Sequence, residues 1–213
     1  MYLPKHFEEN RVEVLHDLIA SHPFGTLVIS TDQGLQANHI PFLIERAPEP
    51  FGTLYAHVAR ANPVWRDLSA NEEALAIFQG PQGYISPSWY ATKQETGMVV
   101  PTWNYAVVHA HGRLEAIEDH DWLRGFVGKL TDTHEARSAE PWSVSDAPAE
   151  YIQKLLASIV GLKLTITRLV GKWKLSQNRP ASDRTSVVQA LQQQATESSL
   201  TMAAAIKRAE PES

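Results

Sequence analysis

The chain has 213 residues, enough for one large domain or two small ones. Its 43% hydrophobic and 20% charged content is that of an ordinary globular protein and excludes disordered and fibrous classes. The absence of cysteine excludes disulfides, iron–sulfur clusters, thiolate zinc sites and cysteine nucleophiles, and a net charge of −5 argues against wrapping nucleic acid through bulk electrostatics.

The first residues, Met1-Tyr-Leu-Pro-Lys-His-Phe, lack the apolar core of a signal peptide, and no run approaches the roughly 18 apolar residues of a membrane span. A cytoplasmic protein with no membrane partner is expected. A first helix is read from Asn10 as N-cap with Glu13 at its third position, Val12, Leu15 and Ile19 forming its apolar face and His22-Pro23 ending it. Gly25 to Ser30 and Leu35 to Ile44 flank the turn residues Thr31 to Gly34 and predict a hairpin. In its second strand Gln36, Asn38, Ile40 and Phe42 share one face, and Ala37, His39 and Pro41 share the other. Pro41 has no N–H to donate, which puts this strand at a sheet edge or barrel rim.

A third strand is expected over Gly52 to Ala59, and Asn62-Pro63 caps a short helix running from Val64 to Ser69. A strand beginning at Asn71 should end in a turn at Gly80-Pro-Gln-Gly83, with Ala91 to Val100 as a surface loop. Thr102 to Ile117 is the longest β pattern, and Gly112 suggests a bulge or bend within it. Helices are expected over Asp119 to Thr131 and Ala149 to Ile159, then a basic strand over Leu162 to Ser176. A last helix, capped by Ser182, turns Val187, Val188 and Leu191 inward. Residues 1–194 read as a single domain and 195–213 as a polar, frayed tail. Strands at hairpin spacing, interrupted by isolated helices, give an α+β, mainly β fold: a small antiparallel barrel with peripheral helices.

Motifs for phosphate-loop, zinc-protease or serine-hydrolase chemistry are missing. His109 and His111 lie on one strand face at a spacing workable for two metal ligands, but no third ligand follows at motif spacing, and no metal is expected. His57, Arg60 and Asn62 stand where a strand ends and a helix opens. They either form an anion mouth, or Arg60 pairs with a surface carboxylate while Asn62 only caps. Tyr84, Trp89, Tyr90, Trp103 and Tyr105 build either core or a platform for a planar ligand, with Ser88, Thr102 and Asn104 as polar handles. Between 151 and 186, Lys154, Lys163, Arg168, Lys172, Lys174, Arg179 and Arg184 face the single acid Asp183; this is a solvated face or a phosphate or polyanion site.

The blocks HVARANP (57–63), FQGPQGYISPSWY (78–90), VPTWNYAVVHAHG (100–112) and GKWKLSQNR (171–179), with MYLPKHF at the start and NHIPF at 38–42, resemble the PaiB-type family of FMN-binding split-barrel proteins over about residues 1–192. The resemblance implies an antiparallel split β-barrel and a homodimer with two equivalent FMN sites at the subunit interface. It implies phosphate near His57, Ala59, Arg60 and Asn62, and the flavin ring along Asn38, His39 and Ile40, with Trp89, Thr102, Trp103 and Asn104 completing the pocket. Lys172 and Gln177, with Lys174, Ser176 and Asn178, match its last block. The implied function is that of a flavin-dependent redox protein, such as an FMN-dependent oxidoreductase, or a flavin-linked negative transcriptional regulator. The alternatives are a repressor that binds DNA directly without enzyme activity and a haem-binding or haem-degrading split-barrel protein.

Overall fold

The computed structural model describes residues 1–66 and 73–209. Its strands are β1 (Glu8–Glu9), β2 (Phe24–Thr31), β3 (Gly34–Pro41), β4 (Leu43–Glu45), β5 (Thr53–Ala59), β6 (Glu73–Ile85), β7 (Thr102–Ile117) and β8 (Ile159–Lys174). The helices are α1 (Val12–Ser21), α2 (Lys93–Thr96), α3 (His120–Glu135), α4 (Ala149–Ala157), α5 (Ala181–Gln194) and α6 (Glu197–Arg208). The strands hydrogen-bond in the order β3-β2-β6-β7-β8-β5-β4, with β1 paired to β8. The path ends at β3 and β4, so the expected barrel is an open antiparallel sheet with flanking helices rather than a closed one.

The β2–β3 hairpin forms as its two-residue period requires, with Leu27 opposite Asn38 and Thr26 opposite His39. Ile40 and Phe42 are buried while Leu35, Ala37 and His39 are exposed, and Pro41 lies on the terminal strand of the path. β7 has the bounds its pattern predicts. Gly112 within it serves a close approach: an added Cβ would strike the Thr165 carbonyl oxygen and the Leu164 side chain of β8.

Several local expectations are corrected. The turn at Gly80–Gly83 is absent, and β6 runs straight through it. A Cβ on Gly80 would lie 2.8 Å from Leu18 Cδ1 of α1, so this glycine admits a helix side chain instead of turning the chain. Helix α1 is capped at Arg11, not Asn10, without a side-chain cap bond; Glu9 accepts from the Arg11 backbone N–H and from its guanidinium. Pro180, not Ser182, precedes α5. Asn62 does cap, its Oδ1 accepting from Val64 N at 3.0 Å over the 3-10 turn Pro63–Trp65; the remainder of that expected helix and the expected strand start at Asn71 fall outside the described residues. Residues read as a frayed tail form α6, opened by a capping box between Thr196 and Ser199.

The chain divides into two compact units. The first comprises 1–22, 78–109 and 169–209, and the second comprises 23–77 and 110–168. In the first, Val187, Val188 and Leu191 of α5 and Met202 and Ile206 of α6 close over Ile85, Tyr90 and Leu175. In the second, Leu123 of α3 packs on Ile152 and Leu156 of α4. No helix among the described residues is long and apolar enough to cross a membrane.

Candidate functional site

The expected residues fall into two groups, one in each unit. In the second unit, Arg60 follows β5 and its guanidinium is engaged by its own chain. Nη1 donates to Glu118 Oε2 at 2.5 Å, Nε to Ala157 O at 3.0 Å and Nη2 to Ile159 O at 3.2 Å. Asn62 Nδ2 donates to Asn38 Oδ1 at 2.8 Å, which joins β3 to the end of β5. His39 points outward with Nδ1 2.9 Å from Thr26 Oγ1, Ile40 is buried in the core, and Ala59 is exposed. His57 is half-buried against the edge of Phe126, its Nδ1 has no hydrogen-bond partner, and burial pushes its pKa down, which keeps the ring neutral. Arg60 pairs with a carboxylate, as the second reading of this mouth has it, while Asn62 both caps and bonds Asn38.

In the first unit the residues gather around β7 and β8. Asn104 is buried and donates from Nδ2 to Ser176 Oγ at 2.9 Å, holding a turn in which Ser176 has a φ of 66°. Gln177 is likewise used by its own turn, accepting from Leu175 N and donating to Trp173 O. Trp89 packs on the apolar core and Tyr90 lies within it, whereas Trp103 is 55% exposed and meets Tyr84 edge to face at 6.2 Å. Trp103 and Tyr105 line a groove of about 390 Å³ with Met1, Gln79, Gln82 and His109.

Beside Tyr105 stand two lysines spaced two apart on β8. Lys172 is only 7% exposed; its Nζ donates to Tyr2 O at 3.0 Å and lies 5.7 Å from the centre of the Tyr2 ring and 5.4 Å from that of Tyr105. Lys174 Nζ donates to Thr102 Oγ1, and desolvation first, then the charges of Lys172 and Arg179, push its pKa below the usual lysine range. The alternation of a strand puts both ammonium groups on one face, and that periodicity is the sequence signal for treating them as a pair. A larger cleft of about 610 Å³, lined by residues such as His6, Glu9, Arg11 and Asp17, contains only Gln177 of the expected set.

The basic stretch at 151–186 is not a bare cationic face. Lys163 pairs with Glu115, Arg168 with Glu73, Arg184 donates to the Ile206 and Ala209 carbonyls, and Arg179 stacks on the Tyr90 ring. His111 Nδ1 lies 3.2 Å from Glu73 Oε2, and among the described residues no group of three or more side chains is arranged to hold a metal ion.

The antiparallel sheet with flanking helices resembles the FMN-binding split-barrel fold, although it is not closed into a barrel. The structure superposes on that of a FAD and heme binding protein from Mycobacterium smegmatis with a TM-score of 0.57 over 78% of this chain and 73% of the other, at 22% identity. Residues 1–168 match the family described as "Putative FMN-binding domain", and the chain belongs to this family. It is 33% identical to the protease synthase and sporulation protein PAI 2 of Bacillus subtilis, with 90% of this chain and 89% of that one covered. It is also 34% identical to an uncharacterised protein of Emericella nidulans, over 88% of this chain and 89% of the other.

Proposed function

We propose that the protein is a homodimeric, flavin-dependent redox protein that binds FMN noncovalently. The observation that carries this reading is the groove of the first unit, lined by Trp103 and the half-buried Tyr105, on a chain of an FMN-binding family; Lys172 lies against the Tyr105 ring outside that lining, and among the described residues no carboxylate pairs with it or with Lys174. The donor set fits the cofactor: Trp103 and Tyr105 supply planar surface for a ring, and Lys172 and Lys174 supply charge for an anion. Bound FMN would supply electron and hydride transfer, and the chain would supply orientation and electrostatics. Asn104 and Ser176 hold the turn after β8 rigid next to the lysines. Trp103 and Tyr84, both largely exposed, offer apolar surface for a second subunit.

The first experiment is the visible spectrum of the purified protein, before and after FMN is added, with chromatography of whatever heat releases. A flavin spectrum and released FMN support the reading; a protein that neither carries nor takes up FMN overturns it. Direct DNA binding through the basic stretch is disfavoured, because Lys163 and Arg168 are neutralised by glutamates and Arg184 is turned to backbone carbonyls.

A further inference from the structure

We propose that a cavity between helix α3 and strands β4 and β5 binds a small alkylated ammonium ion, with Glu45 as its counter-charge and Lys129 as the group it displaces. The site lies wholly in the second unit and does not depend on the flavin reading. The cavity has a volume of about 260 Å³, and its lining includes Glu45, Tyr55, Trp122, Gly125, Phe126 and Lys129. Pockets for drug-sized ligands run from about 300 Å³ upward, so the occupant here is a molecule of a few heavy atoms. Three of the lining residues are aromatic. Trp122 and Phe126, one helical turn apart on α3, stack with ring centres 5.1 Å apart, and the Tyr55 ring of β5 meets them at 5.6 Å and 6.5 Å. Gly161 of β8 admits the Trp122 ring, since an added Cβ there would overlap its Cζ3 atom.

Gly125 is an independent observation. A glycine inside a helix weakens it relative to alanine, and the usual compensation is the close approach of another group. Among the described residues there is none: a Cβ on Gly125 would meet nothing within 4 Å. The missing side chain leaves room at the cavity wall that the chain itself does not use. Charge decides what fits there. Aromatic ring faces carry the negative part of a quadrupole and attract cations. Glu45 is the one carboxylate in the described lining; Lys129 Nζ donates to it, and both side chains are partly exposed, so the pair holds the site closed only weakly. An alkylated ammonium ion answers the aromatic wall and the carboxylate together, whereas the strongly hydrated Lys129 ammonium answers the carboxylate. An anion would meet repulsion from both.

The test titrates the full chain by calorimetry with choline and with dimethylbutanol, its uncharged carbon isostere. Choline should bind saturably and about tenfold more tightly than the isostere, the discrimination expected of cation–π contacts backed by a carboxylate. Three variants, each first shown to melt cooperatively, locate the site. Glu45→Gln should weaken choline by about tenfold. Gly125→Leu, which puts a side chain into the space at the cavity wall, should abolish binding. Lys129→Met should act in the opposite direction and tighten choline severalfold, because it removes the competing cation. If Gly125→Leu does not fold, the opposed effects of the other two decide. The proposal is overturned if the wild type does not bind choline, if the isostere binds equally well, which would make the cavity a neutral apolar pocket, or if choline affinity ignores the substitutions.

Discussion

Arg60 Nη1 and Glu118 Oε2 lie 2.5 Å apart, and the same guanidinium reaches the carbonyls of Ala157 and Ile159 on either side of the junction between α4 and β8. One side chain thereby fastens the end of β5 to that junction, and it also lies 5.7 Å from the Trp65 ring centre. The ion pair alone is partly exposed and is worth less than about 1 kcal/mol, so most of the effect comes from the two carbonyls that would lose their donors. Arg60→Ala should destabilise the protein by roughly 1–3 kcal/mol in urea unfolding. Unchanged stability would show that these contacts do not fasten the end of the strand.

Gly112 and Gly125 make opposite predictions from the same missing atom. A Cβ at Gly112 meets the backbone of Thr165, which cannot move without disturbing β8, so Gly112→Ala should cost about 3 kcal/mol or prevent folding. A Cβ at Gly125, inside α3, meets nothing within 4 Å. Gly125→Ala should raise stability by about 0.5–1 kcal/mol through helix propensity. Thermal melts of the two variants separate these effects, and equal behaviour would refute the packing described for β7 and β8.

The hairpin and β7 were legible because a half-buried strand writes its period into the chain: Ile40 and Phe42 face in while Ala37 and His39 face out. The glycine at 80 was misleading, since a glycine admitting a neighbour's side chain has the same letter as one turning the chain. Helix α6 was hidden because its buried residues, Met202, Ala203 and Ile206, are few among many polar ones, and the surface they cover comes from residues such as Ile85 and Tyr90 far back in sequence. At the site, the family motifs pointed to Arg60, Asn104 and Lys172 as types, but not to their partners. Glu118, Ala157 and Ile159 lie at least 58 residues beyond Arg60, and no local pattern announces that they use it up. Lys174 owes its interest to the lack of a carboxylate, a property of the fold.

Met202 is fully buried between α5 and the end of β6, whereas Leu200 on the same helix is 46% exposed. Met202→Ala should therefore cost about 2–4 kcal/mol and Leu200→Ala less than about 0.5 kcal/mol. Denaturant melts decide this. Near-equal losses would mean that α6 does not pack as described.

His57 sets part of the acid limit. Its folded pKa lies below the ordinary histidine value of about 6.5 because burial disfavours the imidazolium, and no acceptor compensates. The unfolded chain then binds more protons than the native one as pH drops below 6.5, so stability is complete above that value and is lost progressively through the depressed folded value. His111 is shifted in the same direction, by burial first, and adds to the slope. His57→Leu should flatten the fall in stability as pH drops below about 6.5 without removing the share of His111. An unchanged slope would show that the ring is solvated in the folded protein.

Trp103 is a large side chain left in water, in edge contact with Tyr84, on the rim of the groove beside Tyr105. A residue this exposed contributes little to the stability of its own chain, so its truncation separates folding from association and ligand binding. Trp103→Ala should change the unfolding free energy of the monomer by less than about 1 kcal/mol yet weaken dimerisation, FMN retention or both by tenfold or more. Sedimentation velocity and flavin titration on the same sample measure the two properties. If both are normal, Trp103 and Tyr84 only pack on each other, and the groove is not the flavin face.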